Sequence, residues 1–283
     1  MWVWKKNIAK AQEEDWQQRM SNMPGAVFSE GFQAERLNLD VYVETDSEAI
    51  LLQKCYGGKI EEVKTVDWVA ATAPENTPPL IIRDKIVISA SENPDVLAEL
   101  QKKYPDRILL VFPAERAFGT GNHATTSTCL RMLCDEVDKQ KGPWTLTDIG
   151  CGTGVLALAG LRLGAQRAIS FDFDPVAVEV AQRNISRNGG ADNLSLFCAD
   201  VFEWEPAPGE QADIVLANLF SAVLVKAFPK LIAAMKPDGA TLIISGILNT
   251  QAEETLEAAK KAGLRVLKVV SRGKWTTAKL TNS

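Results

Sequence analysis

One histidine, five cysteines with no CxxC pair, no surplus of basic residues and no apolar run of membrane-spanning length narrow this 283-residue chain before any motif is read. The lone imidazole is His123, so a Ser-His-Asp triad or a zinc site would have to be built on it alone, and no metal site is expected. The thiols of Cys55, Cys129, Cys134, Cys151 and Cys198 are odd in number and scattered, the pattern of reduced cysteines in a cytoplasmic protein. The opening Met1-Trp2-Val3-Trp4-Lys5-Lys6 runs into Gln and Glu rather than an apolar stretch, so no secretory signal is expected. Lys and Arg number 31 against 36 Asp and Glu, a net charge of −5. Direct nucleic-acid binding is therefore not expected, because phosphate binding needs a basic footprint. With no stretch near the roughly 20 apolar residues of a membrane span, no membrane partner is expected either.

What is present is a hydrophobic share of 46%, enough for one large domain or two modest ones. The first ninety residues alternate irregularly. Trp2-Val3-Trp4, Val41-Tyr42-Val43 and Lys59 to Val66 read as strands, and Ala9 to Met20 and Ser47 to Cys55 as helices. A β-α-β-β-α-β, ferredoxin-like unit fits that order. The run Ala73-Pro74-Glu75-Asn76-Thr77-Pro78-Pro79 has linker chemistry. Leu80 to Ser89 reads as a strand, Asp95 to Tyr104 as a helix and Arg107 to Phe112 as a strand. From about Pro113 strands and helices alternate regularly. Leu146-Ile149, Ala168-Phe171, Leu194-Phe197, Asp213-Ala217 and Thr241-Ile244 are separated by apolar helical segments, and Leu264-Val270 and Trp275-Leu280 close the chain as strands. Such alternation predicts a Rossmann-like, doubly wound parallel sheet with an antiparallel edge. The expected division is a small α+β domain over 1–75, a linker with connecting elements over 76–112, and the doubly wound domain over 113–283.

The turn after the first strand of that sheet reads Asp148-Ile149-Gly150-Cys151-Gly152-Thr153-Gly154. Small residues there let the backbone turn sharply and a ligand come close. A dinucleotide fold of the G-x-G-x-x-G/A type wants its last small residue at position 155, which is Val155, and the third glycine comes one residue early. No GK[ST] ending of a P-loop follows. In Phe171-Asp172-Phe173-Asp174-Pro175, Asp172 lies 22 residues after Gly150, where a carboxylate accepts from ribose hydroxyls in NAD and S-adenosylmethionine proteins alike. Asp174, before Pro175, reads as a helix cap. The turn D-x-G-x-G-x-G resembles motif I of the class I methyltransferases, and by that resemblance Asp200, ending the third strand, stands where the class often holds the adenine amino group; it reads almost equally as a turn residue.

Two further stretches sharpen the pattern: Ala117-Phe118-Gly119-Thr120-Gly121-Asn122-His123-Ala124-Thr125-Thr126 ahead of the first strand, and Ala217-Asn218-Leu219-Phe220 ending the fourth, with Ser245-Gly246-Ile247-Leu248 ending the fifth. With D-x-G-x-G-x-G and D-x-D-P in this order, residues 113 to 280 resemble the family of methyltransferases that act on protein eleven of the large ribosomal subunit. That resemblance implies a class I methyltransferase domain using S-adenosyl-L-methionine, with contacts at Thr126, Gly150, Asp172 and Asn218. It also implies a small amino-terminal domain that recognises a ribosomal large-subunit protein, and methylation of lysine side chains and the terminal α-amine. The chain departs from the family at Pro113-Ala114-Glu115-Arg116, where a Pro-Gly-Met type turn is usual, and in the long segment Glu136 to Gly142.

Phe118, Thr120, Asp148, Gly152, Gly154 and Asp200 complete the expected cofactor set. Asn218 and His123 are the expected catalytic residues. The Asn218 amide oxygen would accept from the incoming amine, and His123 would orient a lid over Phe118 to Thr126 or touch substrate rather than act as general base. Thr125 or Thr126 is expected to cap the helix through Leu130, Leu133 and Val137. Trp144, Trp204 and Trp275 read as packing aromatics. A monomer is expected. The same chemistry on another protein lysine or a small amine, or a cofactor-binding module without turnover, remains open at this point.

Overall fold

The computed structural model describes residues 2–12, 16, 19–20, 26–30, 35–43, 45–62, 78–113 and 123–282. The chain divides into two compact units, Met1–Ala73 and Pro74–Ser283.

In the smaller unit, β1 (Trp2–Ala9) lies in an antiparallel sheet with β2 (Ala26–Glu30), β3 (Arg36–Val43) and β4 (Lys59–Glu62), in the order β2-β3-β1-β4. Period-two patterning builds β3: Leu37, Leu39, Val41 and Val43 point into the core, where Trp4 is fully buried. Trp4 keeps its indole N–H satisfied by donating to the Gly57 carbonyl at 2.7 Å. Helix α1 (Asp46–Tyr56) starts at a capping box: Thr45 Oγ1 accepts from the Glu48 amide and the Glu48 carboxylate accepts from the Thr45 amide. With α1 joining β3 to β4 across β1, this is the ferredoxin-like order. Of the expected Ala9–Met20 helix, Ala9 ends β1 and Lys10–Gln12 form a single 3-10 turn; most of the rest lies outside the described residues.

In the larger unit, β5 (Leu80–Ile82), β6 (Ile86–Ser89) and β7 (Ile108–Val111) form a small sheet, with α2 (Pro94–Lys103) joining the parallel β6 and β7. The expected single strand Leu80–Ser89 is thus a hairpin. Its polar Arg83-Asp84-Lys85 turns outward, and the Arg83 guanidinium donates twice to the Asp135 carboxylate, at 2.7 and 2.8 Å. Residues 80–111 therefore form structure of this unit rather than a connector.

Behind them α3 (Ala124–Val137) packs on a seven-stranded sheet. Its strands are β8 (Thr145–Ile149), β9 (Arg167–Asp172), β10 (Leu194–Cys198), β11 (Ile214–Asn218), β12 (Thr241–Leu248), β13 (Arg265–Arg272) and β14 (Trp275–Thr281). They run in the order β10-β9-β8-β11-β12-β14-β13. The first five are parallel, and β14 pairs antiparallel with both β12 and β13, the antiparallel edge that the late strand pair predicts; β14 alone runs against the other six. The connecting helices α4 (Val155–Arg162), α5 (Pro175–Arg187), α6 (Ser221–Ala233) and α7 (Ala252–Lys261) fall on the predicted apolar segments. Continuous apolar runs such as Ile214-Val215-Leu216-Ala217 are buried on both faces, as central parallel strands require. From β8 the chain winds out through β9 and β10, then returns to β11 on the other side. That reversal opens a crevice at the carboxyl end of β8. No helix among the described residues is long and apolar enough to cross a membrane.

Candidate active site

A cavity of about 570 Å³ fills that crevice. Its floor is the glycine turn. Gly150 has φ +73°, a left-handed conformation, and a Cβ there would drive into the Leu219 side chain. The turn is pinned from the neighbouring strand. Asp172, 8% exposed, accepts from the Gly152 amide through Oδ2 at 2.9 Å and from the Asp174 amide through Oδ1 at 3.1 Å. With both oxygens fixed by backbone, the carboxylate keeps lone pairs for further donors such as a pair of ribose hydroxyls. Asp174 caps α5 by accepting from the Val176 amide, as predicted, and also reaches the cavity wall. Asp200 accepts from the Phe202 amide in a turn, one of its two readings, and lines the cavity.

The far wall is the end of β11. Asn218 donates from Nδ2 to the hydroxyls of Thr125 and Thr126, at 3.3 and 3.4 Å, while its Oδ1 is buried without a partner. A buried carbonyl oxygen with no donor is costly unless a ligand supplies one. The threonines stand in the first turn of α3, whose cap is His123 rather than either of them. Its Nδ1 accepts from the Thr125 amide at 3.4 Å and lies 2.8 Å from the Thr125 hydroxyl. The His123 ring meets Trp275 edge-on, centroids 5.3 Å apart. Partial burial, with Lys274 nearby, pushes the imidazole pKa down, so the ring is neutral at pH 7.

Of the predicted site residues, the structure brings His123, Thr126, Gly150, Gly152, Asp172, Asp200 and Asn218 to one cavity. Asp148 and Gly154 do not reach it. Gly154 faces the other way: a Cβ there would press on Ala181 of α5, so the position serves helix packing. Asp148 is fully buried behind the turn, where its Oδ2 accepts from the Ala157 amide in the first turn of α4 at 3.1 Å. Desolvation pushes its pKa up to about 7, with the Asp172 charge adding to the rise. Phe118 and Thr120, with the expected lid up to Asn122, lie outside the described residues.

Sequence reasoning missed the aromatic walls. Trp144 and Trp204 are packing residues as expected, the latter 4.7 Å from Phe171, but Trp275 lines the cavity. So do Phe173 and Phe220, which are 77% and 73% exposed. Phe173 directly follows Asp172 and Phe220 closes the stretch Ala217-Asn218-Leu219-Phe220, and that adjacency was the available signal. Flat apolar walls, a glycine floor and a fixed carboxylate suit an adenosine-bearing ligand.

Comparison with known proteins agrees with this geometry. The profile of the family described as "Ribosomal protein L11 methyltransferase (PrmA)" matches residues 5–283. A protein of that name from Actinobacillus pleuropneumoniae serotype 5b is 37% identical over 225 residues, spanning 76% of this chain and 71% of the relative. One from Haemophilus ducreyi is 34% identical over 242 residues, spanning 82% and 76%. The crystal structure of a ribosomal protein L11 methylase from Lactobacillus delbrueckii subsp. bulgaricus superposes with a TM-score of 0.60 over 72% of this chain and 98% of its own, at 20% identity. At that identity the likeness shows the fold.

Proposed function

The chain belongs to the ribosomal protein L11 methyltransferase family, and from that premise we propose that it transfers methyl groups to lysine side-chain and terminal amines of ribosomal protein L11. S-adenosylmethionine is the cofactor, and when bound it supplies a methyl group on a positively charged sulfur. Asp172 and the Gly150–Gly152 turn would hold its nucleoside, with the aromatic walls against the base and Asn218 toward the reacting end.

The chain's remaining task is to present a neutral amine. Freeing a lysine nitrogen of its proton at pH 7 costs about 4.6 kcal/mol, from a reference pKa near 10.4. An apolar pocket lowers that cost, because desolvation disfavours the ammonium. Asn218 adds aim without opposing it. Its neutral oxygen accepts an N–H of the amine and directs the lone pair, whereas a carboxylate in its place would favour the charged form. That partnerless oxygen, with its amide nitrogen tied back to two threonines, is the observation that carries the reading.

We assign recognition of the ribosomal protein to the Met1–Ala73 unit, and we place the protein in the cytoplasm as a monomer that does not bind nucleic acid directly, in keeping with its net charge of −5. The test is incubation of the purified chain with labelled S-adenosylmethionine and ribosomal proteins from cells lacking it. Label in protein L11 is expected. Label confined to another protein or a small amine would overturn the assignment.

A further inference from the structure

The three residues His123, Thr125 and Asn218 form a chain whose direction is dictated from its far end. A backbone N–H can only donate, so the Thr125 amide at 3.4 Å fixes His123 Nδ1 as an acceptor. The ring proton of the neutral imidazole then sits on Nε2. With Nδ1 an acceptor, the Thr125 hydroxyl 2.8 Å away points its hydrogen at the same single lone pair, which it shares with the longer amide contact. The hydroxyl oxygen has only lone pairs left for Asn218, so it is the amide nitrogen that turns toward it, at 3.3 Å, and toward Thr126 at 3.4 Å. The amide oxygen is left over, buried and unpartnered.

We propose that His123 is a positioning residue acting through Thr125, whose Nδ1 lone pair sets a one-way hydrogen-bond chain that commits the Asn218 amide oxygen to the incoming amine. The last step rests on the function proposed above; the chain itself does not. A proton on Nδ1 reverses it: the ring becomes a donor, the Thr125 hydroxyl turns its hydrogen toward Asn218, and the amide flips its oxygen to meet it. Among the described residues, the charged group that acts on the ring is Lys274, on the turn before β14; the carboxylates of Asp172, Asp174 and Asp200 line the same cavity. Partial burial, with Lys274 adding to it, lowers the imidazole pKa and so favours the neutral ring, the state the chain requires.

Because His123 is the single histidine in the sequence, nitrogen NMR of histidine-labelled protein reads this imidazole alone. The full chain is expected to show the Nε2–H tautomer at pH 7.5; an Nδ1–H tautomer overturns the proposal whatever the substrate proves to be. The second arm measures methylation of protein L11 and binding of S-adenosylmethionine. Thr125→Val, which keeps the backbone amide and the shape but loses the hydroxyl, is expected to lower kcat about tenfold, one directed hydrogen bond, with Kd for S-adenosylmethionine within about twofold. Thr125→Ser restores the hydroxyl and is expected to restore the rate. His123→Asn retains a preferred helix cap but offers donor and acceptor alike, so it should match Thr125→Val and lose the additional fall in rate expected of wild type in acid, where the imidazole gains its proton. Equal rates for the Val and Ser variants, or a loss of kcat matched by an equal loss of cofactor affinity, overturn the positioning role. A wild type that shows the Nε2–H tautomer yet leaves protein L11 unlabelled counts against the proposed function and not against the chain.

Discussion

Replacing Asp148 by asparagine makes the stability of the protein less dependent on pH, and the size of that effect follows from where the carboxyl sits. The group is fully buried, has one hydrogen bond from the Ala157 amide, leaves Oδ1 without a partner, and faces the Asp172 charge. Burial pushes its pKa from 3.8 in the unfolded chain up to about 7 in the folded one. For an acid with a raised folded-state pKa, the native protein holds the proton over a range where the unfolded chain has lost it. Each pH increment in that range therefore favours unfolding. The penalty is absent below pH 3.8, grows as pH rises, and levels off above about 7. A shift from 3.8 to about 7 corresponds to about 4 kcal/mol at its full extent. Asparagine mimics the protonated acid and does not titrate. The stability difference between Asp148→Asn and wild type should thus move in favour of the variant by about 4 kcal/mol from pH 4 to pH 8, with about 1 kcal/mol of that between pH 6 and pH 8. Urea denaturation of both proteins at a series of pH values measures the difference and cancels the titration of every other group. A gap that stays constant from pH 5 to pH 8 refutes the claim that Asp148 is a neutral acid in the native fold.

The other predictions concern the cavity wall and its neighbours. Asp172→Ala leaves the Gly152 and Asp174 amides without their acceptor, and calorimetry should show S-adenosylmethionine affinity falling at least a hundredfold, about 3 kcal/mol; unchanged affinity contradicts the site. Asn218→Ala should lower kcat by about a hundredfold or more, the effect of removing one preorganised polar group, while thermal stability holds or rises because a buried orphan oxygen is gone. Phe220→Ala, at a 73% exposed position, should leave unfolding within about 0.5 kcal/mol of wild type and raise KM for the protein substrate. Thr147→Val removes a buried hydroxyl that has no partner, so the midpoint of thermal unfolding should rise, by about 1 kcal/mol of stability; a loss of more than that would mean the hydroxyl is paired after all.

Much of the larger unit was legible because its elements have strong, regular signals. Strands such as Leu146-Ile149 and Thr241-Ile244 are short apolar runs between amphipathic segments, and the structure extends them by only a few residues. The hairpin at Arg83 escaped because its three polar residues interrupt an otherwise continuous apolar run, and only the ion pair to Asp135 on a distant helix explains their turning outward. The site followed the same division. Gly150, Asp172 and Asn218 stand at strand ends, where position along one element brings them to the cavity. The helix cap did not, since Thr125 and Thr126 have the better capping chemistry on paper. They lie inside the helix instead, which frees their hydroxyls for Asn218 and leaves the cap to His123. Trp275 was illegible for a similar reason: it comes from the antiparallel edge, more than fifty residues beyond Asn218, and only the sheet order brings it to His123.

The distribution of unpaired polar atoms ties the energetics of the fold to its chemistry. Among the described residues, the buried side-chain atoms without a partner include Thr147 Oγ1, Asp148 Oδ1, Ser170 Oγ and Asn218 Oδ1. All four belong to β8, β9 and β11, the adjacent strands whose carboxyl ends frame the cavity. Each such group costs about 1–3 kcal/mol when no donor or acceptor reaches it. A sheet selected for stability alone would put valine or leucine at these positions, as it does at Val215, Leu216 and Ile243. The polar atoms are tolerated together where the backbone reverses direction, and they differ in what can relieve them. Asn218 stands on the cavity wall, where a ligand can supply its donor. Asp148 lies behind the turn, outside the reach of any ligand in the crevice, and relieves its own cost by keeping a proton. An amine in the site should therefore stabilise the protein through Asn218, while a ligand reaches the Asp148 titration only through Asp172, whose charge adds to its rise. Repeating the urea series with saturating S-adenosylmethionine measures that link: the wild-type curve should rise at every pH and fall less between pH 5 and pH 8 with the cationic cofactor bound, and an unchanged pH dependence would show that Asp172 does not couple Asp148 to the cavity.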